Sequence, residues 1–171
     1  GFATAHTYYG DYTLYFAIKF SEAFTSFNGW SDSEGIQPQI EQIRDSLDLG
    51  AWVDFDVGAG EPILLKVGLS LVDLEGARRN LESELGPYGW DFDAVVRSAR
   101  DQWNRLLGKI SVEGGTREDR VKFYTNVYRC YSQKQTWSDV DGRYRDPMER
   151  IQQLPESRVM YGGDAFWNSY W

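Results

Sequence analysis

The sequence predicts an α+β fold in which an antiparallel sheet precedes a set of helices. Before residue 72, apolar and polar residues alternate in several short runs, whereas after residue 73 the apolar residues recur with helical spacing. Turns, not helices, separate the strand-like runs, which indicates an antiparallel sheet or one half of a sandwich. We therefore expect three successive segments: 1–72, 73–113 and 114–171.

Four runs predict strands in the first segment. Residues 13–20, 52–57 and 65–71 alternate between apolar and polar side chains, while residues 23–27 break the alternation and could hold a bulge. Residues 31–50 are predicted to form an insertion loop with a short helix, because four aliphatic residues within it have helical spacing.

Three helices are predicted after the sheet. Asp73 is a plausible N-cap of the first, which the Gly86-Pro87 pair ends. Asp91 could cap the second, which Gly108 ends, and Thr116 opens the third with an aspartate three residues later, in a variant of the capping box. The first two helices carry single apolar stripes, as expected of elements that pack on something larger.

The remaining pieces are shorter. Residues 110–112 could be extended, and residues 137–155 are predicted to be loop with turns, since glycine and proline interrupt them. A last helix is predicted to begin near Asp164.

Composition excludes several classes of function. The chain has 171 residues, a formal net charge of −8, and 42% hydrophobic and 16% aromatic residues, so it can build a core. Its basic residues are spread along the chain, which argues against a nucleic-acid surface. There is no apolar run long enough to span a bilayer, and residues 1–20 lack the layout of a signal peptide, although an exported protein could have lost its leader. His6 and Cys130 are the single histidine and cysteine, which disfavours histidine triads and cysteine metal sites.

Two stretches near the end interleave aromatic rings with Asp, Asn and Arg. They are residues 137–145 and 161–171. Such a mixture suits a sugar site, because a pyranose offers apolar C–H faces to rings and hydroxyls to carboxylates and amides. A tyrosine-rich core with satisfied polar partners would give the same composition.

Both stretches resemble the start of the helical catalytic domain in glycoside hydrolase family 92, the calcium-dependent exo-acting α-mannosidases of bacteria. Ser138-Asp-Val-Asp-Gly-Arg-Tyr144 matches the family's run closely, and Phe166-Trp-Asn-Ser-Tyr170 stands where the family has Leu-Trp-Asp-Thr-Tyr. Residues 65–85 resemble the family's crossing from last strands to linker. The resemblance covers roughly residues 50 to 171.

The resemblance implies an architecture and an activity. Residues 1–72 would be the C-terminal part of a β-sandwich, 73–113 a helical linker and 114–171 the start of a catalytic (α/α)6 toroid. The parent enzyme would be α-1,2-mannosidase-like: it would remove terminal α-linked mannose from glycans, with inversion and calcium assistance. Its catalytic carboxylates and calcium ligands would lie in later segments, so this chain alone would be inactive and would need the remainder of the helical domain as partner. The family also implies a secreted or periplasmic location.

Within this chain, the resemblance places Trp167 and Asn168 at the substrate subsite, and it assigns no catalytic residue and no metal ligand. A core tryptophan beside a surface asparagine is the alternative. Asp139 and Asp141 are expected to accept backbone N–H bonds in their loop and to pair with Arg143 or Arg145. A calcium loop of the EF-hand type fails there, because aligning Gly142 to its sixth position puts tryptophan and methionine at its ends.

Two other functions stay open from the sequence. The sheet of residues 12–72 could be a non-catalytic carbohydrate-binding module if Tyr12, Tyr15, Trp30 and Trp52 form an exposed plane. A scaffold without glycan contacts is the third possibility.

Overall fold

The structure is a computed structural model that describes residues 1–7, 10–44, 48–132 and 135–162. It has antiparallel sheets followed by helices, which confirms the predicted α+β class. The strands are β1 (Phe2–Thr7), β2 (Gly10–Phe20), β3 (Ser26–Ser31), β4 (Gly35–Gln37), β5 (Leu49–Asp54), β6 (Leu65–Ser70), β7 (Arg143–Arg145) and β8 (Ile151–Gln153). The helices are α1 (Leu74–Leu85), α2 (Phe92–Leu107) and α3 (Arg117–Ser132), with a short 3₁₀ turn at Gly86–Tyr88.

The chain divides into two compact units. The first combines residues 1–17 with residues 67–171, and the second is residues 18–66. The predicted segment boundaries near residues 72 and 113 stay predictions.

The first unit contains a sheet of order β1-β2-β6. Strands β1 and β2 are antiparallel, with Phe2 opposite Tyr15 and His6 opposite Asp11. The sequence did not predict β1, because its residues lack a clear apolar face.

Helix α1 packs closely on β6 and forms the buried centre of this unit. Val72, Ala77 and Leu81 are 2%, 0% and 5% exposed. Gly68 of β6 lies directly against this helix, since a Cβ there would overlap the Ala77 carbonyl oxygen and Leu81. The apolar stripe predicted for the first helix therefore faces the sheet.

The helix starts are as predicted. The Asp73 side chain accepts from the Gly76 N–H at 2.6 Å, and the Asp91 side chain accepts from the Ala94 N–H at 2.8 Å. At α3, the Asp119 N–H donates to the Thr116 hydroxyl while the Thr116 N–H donates to the Asp119 carboxylate. The bond from the Thr116 N–H lowers the pKa of Asp119.

The second unit contains a sheet of order β4-β3-β5, all antiparallel. In the register, Ser26 is opposite Asp54, Asn28 is opposite Trp52, and Trp30 is opposite both Gly50 and Ile36. One face is covered at Gly29, where an added Cβ would meet Ile43 and Ile40 side chains.

A polar cluster lies at the end of this sheet, and we name it the Asp54 trio: Ser26, Asn28 and Asp54. The Ser26 hydroxyl and the Asn28 amide both donate to Oδ2 of Asp54, and the amide also donates to the Ser26 hydroxyl. Asn28 is buried, and its Oδ1 accepts from the Gln39 N–H at 2.9 Å. The Asp54 side chain itself is exposed.

Four local predictions differ from the structure. A strand was predicted at residues 23–27, but β3 begins only at Ser26 and continues to Ser31. Between β3 and β5, the described residues hold β4 and irregular backbone where a short helix was predicted, because Pro38 has no N–H and Gln39 has a φ of +54°. Residues 110–112 belong to no strand in the described structure. The predicted loop at 137–155 contains an antiparallel hairpin of β7 and β8, with Arg143 opposite Gln153. The helix predicted near Asp164 lies outside the described residues.

Candidate functional site

The most developed polar site in the described structure surrounds Asp139, and we name it the Asp139 trio: Ser70, Asn80 and Asp139. The Ser70 hydroxyl donates to Oδ2 of Asp139 at 2.8 Å, and the Asn80 amide donates to Oδ1 at 2.8 Å. All three residues are buried, with 4%, 8% and 5% exposure for Ser70, Asn80 and Asp139. A buried carboxylate with a donor on each oxygen is a strong anchor, since leaving either oxygen unpaired would be costly.

The other atoms of the trio bond to the backbone of three different segments. The Ser70 oxygen accepts from the Val72 and Asp73 N–H groups at 2.9 and 3.3 Å. The Asn80 amide donates to the Leu69 carbonyl at 2.7 Å, and its Oδ1 accepts from the Val140 N–H at 2.9 Å. The trio thus joins the end of β6, helix α1 and the loop of residues 135–142 that precedes β7.

Gly76, in the first turn of α1, leaves the room that this arrangement needs. A Cβ at Gly76 would overlap the Asp139 carboxylate and lie 2.7 Å from the Ser70 hydroxyl. Any larger residue would push the loop away from the helix.

A charged cluster flanks the trio. Arg143 bonds to Asp73 at 2.7 Å and to Asp141 at 2.9 Å, and Arg79 lies 3.1 Å from Asp141. The Arg143 hydrogen bond lowers the pKa of Asp73, and the same bond raises the pKa of the Arg143 guanidinium. Burial raises the pKa of Asp141, but the backbone and side-chain hydrogen bonds from Arg143 outweigh it, so that the pKa is lowered on balance.

Arg145 adds a second link between the loop and the β6–α1 crossing. Its Nε donates to the Leu71 carbonyl at 2.9 Å, and Nη2 donates to the Val72 carbonyl at 3.3 Å. Its Nη1 donates to the Glu149 carbonyl at 3.0 Å within the hairpin. A guanidinium with several fixed donors suits this role better than a lysine would.

The sequence prediction for the two aspartates is half confirmed. Asp141 accepts from the Arg143 N–H at 3.1 Å and pairs with the Arg143 side chain, as predicted. The prediction for Asp139 was wrong, because its carboxylate accepts from Ser70 and Asn80. No local pattern indicated these partners, since they lie 69 and 59 residues away.

The loop also pairs with the segment that precedes the predicted sugar contacts. The Trp137 N–H donates to the Met160 carbonyl at 2.7 Å, and the Gly162 N–H donates to the Gln135 carbonyl at 2.8 Å. The Met160 N–H donates to the Ser138 hydroxyl at 3.2 Å. The Trp137 indole donates to the Arg145 carbonyl at 3.0 Å. Trp167 and Asn168 lie outside the described residues, so their assignment to a substrate subsite stays a prediction.

The described carboxylates of this site do not fit a calcium ion. Calcium prefers six to eight oxygen ligands. Asp139 is engaged by Ser70 and Asn80, and Asp141 by two arginines. Among residues 1–7, 10–44, 48–132 and 135–162, no three His, Cys, Asp or Glu side chains group in a way that could hold a metal ion.

The four aromatic residues considered for a binding plane do not share one face. Tyr12 and Tyr15 have opposite parity on β2 and therefore lie on opposite faces of that strand. Trp30 and Trp52 lie on the same face of the second unit's sheet and are 40% and 39% exposed. A helix long and apolar enough to cross a membrane is absent from the described parts of the chain.

Two family profiles match the chain, and they meet at the Asp139 trio. Residues 1–70 match the "Glycosyl hydrolase family 92 N-terminal domain", and residues 76–171 match the "Glycosyl hydrolase family 92 catalytic domain". Ser70 is the last residue of the first match, whereas Asn80 and Asp139 belong to the second. The N-terminal match includes residues 1–49, whereas the resemblance based on motifs covered only residues from about 50 onwards.

Individual proteins agree with the profiles. An "Uncharacterized secreted glycosidase" of Arthroderma benhamiae is 27% identical in an alignment of 140 residues that covers 75% of this chain and 18% of that protein. The structure of a family GH92 α-mannosidase from Bacteroides thetaiotaomicron is 25% identical, with a TM-score of 0.79 over 99% of this chain and 23% of the other. A family GH92 inverting mannosidase from the same organism is 26% identical, with a TM-score of 0.76 over 92% of this chain and 21% of the other.

The chain therefore spans about a fifth of the length of the relatives it resembles. The two profiles together account for nearly all of its residues, and the catalytic-domain profile alone matches more than half. The chain belongs to glycosyl hydrolase family 92.

Proposed function

We propose that this chain is the junction between the N-terminal and catalytic domains of a glycosidase that removes terminal α-linked mannose from glycans. The observation that carries the proposal is the Asp139 trio, which joins a residue from the N-terminal match to two residues from the catalytic match. Both Bacteroides thetaiotaomicron structures are of mannosidases, which supports mannose as the sugar.

The chemistry divides between this chain and the rest of such an enzyme. Inversion needs one carboxylic acid to protonate the leaving oxygen and one carboxylate to activate water, roughly 6.5–9.5 Å apart. Asp139 and Asp141 have their oxygens engaged by partners in the fold, so they are poor candidates for either role. We place both reactive carboxyl groups and the calcium ligands outside this chain.

The chain's own contribution to substrate binding is proposed at Trp167 and Asn168. An indole ring can cover the apolar face of a mannose, and an amide can both donate to and accept from its hydroxyls. The family's usual aspartate at this position can only accept when ionised, so Asn168 is expected to alter the preference for linkage or substrate.

Partners and location follow from the same proposal. The remainder of the helical domain would complete the fold, and the substrate would be a mannose-containing glycan of α-1,2 type. A secreted or periplasmic location is proposed with it, and the Arthroderma benhamiae relative, a secreted glycosidase, supports secretion.

The direct test uses the protein encoded by the complete reading frame that contains this chain. It should release mannose from α-1,2-linked mannobiose, and NMR of the first product should show the β-anomer that inversion requires. A chelator should lower the rate, and added calcium should restore it. Matched α-glucosides and α-galactosides are the controls, and the 171-residue chain alone should release nothing. Release of another sugar, or retention of the α-configuration, would contradict the proposal.

A carbohydrate-binding module is the second candidate, and the shared face of Trp30 and Trp52 favours it. Calorimetric titration of the 171-residue chain with mannosides tests it. Binding in the millimolar range that Trp30→Ala and Trp52→Ala abolish, with Tyr12→Ala as control, would support the module. Absence of binding would contradict it.

A further inference from the structure

We propose that a cleft in the second unit binds a neutral pyranose through Phe24, Gln39 and Glu41; the choice of mannose as its sugar rests on the proposed function. The cleft has a volume of about 570 Å³, within the range of roughly 300–1,000 Å³ that small-molecule sites occupy. Its walls come from the chain around the start of β3 and from the segment after β4: Phe24, Ser26, Phe27, Gln39, Ile40 and Glu41. These residues all belong to one compact unit, residues 18–66.

The wall after β4 is fixed to β3 by two successive N–H groups. The Gln39 N–H donates to Oδ1 of Asn28 at 2.9 Å, and the Ile40 N–H donates to the Phe27 carbonyl at 2.9 Å. Asn28 is buried, and its amide donates to the other two members of the Asp54 trio. The wall is therefore ordered before any ligand arrives, which lowers the entropic cost of binding.

Gln39 has a backbone conformation that glutamine disfavours. Its φ is +54°, in the left-handed region where residues other than glycine, asparagine and aspartate are uncommon. A glycine would adopt the same backbone without a side-chain penalty, so the turn by itself does not require glutamine. A residue held in such a conformation is a reason to look for a function of its side chain.

The cleft presents two polar groups that the fold does not engage. Within the described part of the chain, neither the Gln39 side-chain amide nor the Glu41 carboxylate bonds to another residue, and both residues are exposed. An ionised carboxylate accepts hydrogen bonds, while an amide both donates and accepts. Together they suit a ligand that carries several hydroxyl groups.

Charge and apolar surface favour a neutral sugar. No cation occurs among the described residues that line the cleft, and Glu41 would repel an anionic group, so phosphates and uronates are disfavoured. Phe24 is 48% exposed and adds apolar surface, together with Phe27 and Ile40. A pyranose matches both kinds of surface, since its C–H face packs on a ring while its hydroxyls bond to the amide and the carboxylate.

The first experiment titrates the isotopically labelled 171-residue chain with methyl α-mannoside and follows amide resonances by NMR. The resonances of Gln39 and Glu41 should shift together and saturate with a Kd of about 1–10 mM, as expected for a ligand of this size. Phe24→Ala and Glu41→Ala should each raise the Kd about tenfold. The matched control is Glu34→Ala, an exposed glutamate of the same unit, which should leave the Kd unchanged. No saturable shift at the cleft, or an equal Kd in Glu41→Ala and the unchanged chain, would overturn the proposal.

The second experiment uses Gln39→Gly to separate ligand contact from folding. Glycine relieves the left-handed backbone, so the melting temperature should stay the same or rise, whereas loss of the amide should raise the Kd about tenfold. An unchanged Kd would overturn the role of Gln39, whatever the melting temperature.

Two further probes decide the class of ligand. Glucuronate should bind about tenfold more weakly than methyl α-mannoside, because Glu41 repels its carboxylate. Tetramethylammonium tests the competing occupant, a cation held by the rings and the carboxylate. Tighter binding of either probe than of the mannoside would overturn the assignment to a neutral sugar.

These results are separable from those that test the proposed function. If the complete enzyme releases no mannose while the cleft binds methyl α-mannoside, the proposed function fails and the cleft remains a sugar site. If the enzyme releases mannose while the cleft variants bind the mannoside as the unchanged chain does, the inference alone is overturned.

Discussion

Two regions of this molecule combine the same three residue types, serine, asparagine and aspartate, but differ in how strongly they should stabilise the fold. In the Asp139 trio and in the Asp54 trio, a serine hydroxyl and an asparagine amide both donate to an aspartate. The Asp139 carboxylate is 5% exposed and uses both of its oxygens, whereas the Asp54 side chain is exposed and receives both bonds on Oδ2.

The two trios differ in their exposure to water and in whether other contacts already join the segments that they connect. Water competes for an exposed carboxylate, so its hydrogen bonds contribute little net free energy. The Asp54 trio also joins neighbouring strands that the β3–β5 ladder already holds together. The Asp139 trio joins β6, α1 and a loop, and no shared strand ladder connects these three in the described structure. Removing this trio should therefore lower the free energy of unfolding more than removing the Asp54 trio.

The largest effect is expected for Asp139→Ala. The change leaves the Ser70 hydroxyl without its acceptor and opens a small cavity, so the free energy of unfolding should fall by about 3 kcal/mol. Urea unfolding followed by tryptophan fluorescence measures the loss. Ser70→Ala should cost less, because it removes a donor and leaves the Asn80 bond in place. A smaller loss of unfolding free energy for Asp139→Ala than for Asp54→Ala would contradict the claim that the buried trio is the stronger one.

Gly76→Ala should come second, at about 2 kcal/mol of lost stability. Alanine has the higher helix propensity by about 1 kcal/mol, but its methyl group would overlap the Asp139 carboxylate. The control is Glu75→Ala, an exposed change in the same helical turn, which should stay within about 0.5 kcal/mol of the unchanged chain. If Gly76→Ala stabilised the chain, the Asp139 carboxylate would not be held against Gly76 as the structure shows.

Asp73 gives a smaller effect that depends on pH. Asp73→Ala removes the cap of α1 and should cost about 1 kcal/mol near neutral pH. Because the Arg143 hydrogen bond lowers the pKa of Asp73, the folded state binds fewer protons than the unfolded state near pH 4. The resulting stability is present above the unfolded pKa of about 3.9 and is lost as pH falls through the lowered folded value.

The acid side of a stability profile checks this sign. Asp73→Asn keeps a capping oxygen but cannot titrate, so melting temperatures between pH 5 and about pH 2 should fall less steeply than in the unchanged chain. Arg143→Gln should flatten the profile in the same way, because it removes the cation that lowers the pKa of Asp73. An unchanged slope in both variants would contradict the account.

The smallest effect is expected for Asp54→Ala. The Asn28 amide keeps its bond to the Ser26 hydroxyl, and the exposed position lets water replace the lost oxygen, so the cost should be about 0.5 kcal/mol. Thermal unfolding of the chain measures it. A loss as large as that of Asp139→Ala would mean that the residue types alone, and not their burial, set the strength of the trios.

The sequence predicted those strands, helix starts and ion pairs that depend on residues close together in the chain. Period-two alternation predicted β2, β5 and β6, and aspartates followed by helical spacing predicted the starts of α1 and α2. The resemblance to family 92 was carried by contiguous motifs, and the profile matches confirm it. The Arg143–Asp141 pair was predictable because its members are two residues apart.

The rest depended on contacts between distant residues. Nothing around Ser70, Asn80 or Asp139 marks them as partners, because each is an ordinary polar residue in its own segment. Strand β4 and hairpin β7–β8 are three residues per strand, too short for a periodic signal. Gly76 is the clue that was available, since a glycine inside an amphipathic helix calls for a packing reason.

The coupling between Asn80 and Asp139 tests the central claim most directly. Urea unfolding of Asn80→Ala, Asp139→Ala and the double variant gives the interaction energy of the pair. A coupling of at least about 1 kcal/mol is expected, because either single change already breaks the link between helix α1 and the loop. Costs that add within about 0.5 kcal/mol would contradict the claim that the trio acts as one anchor.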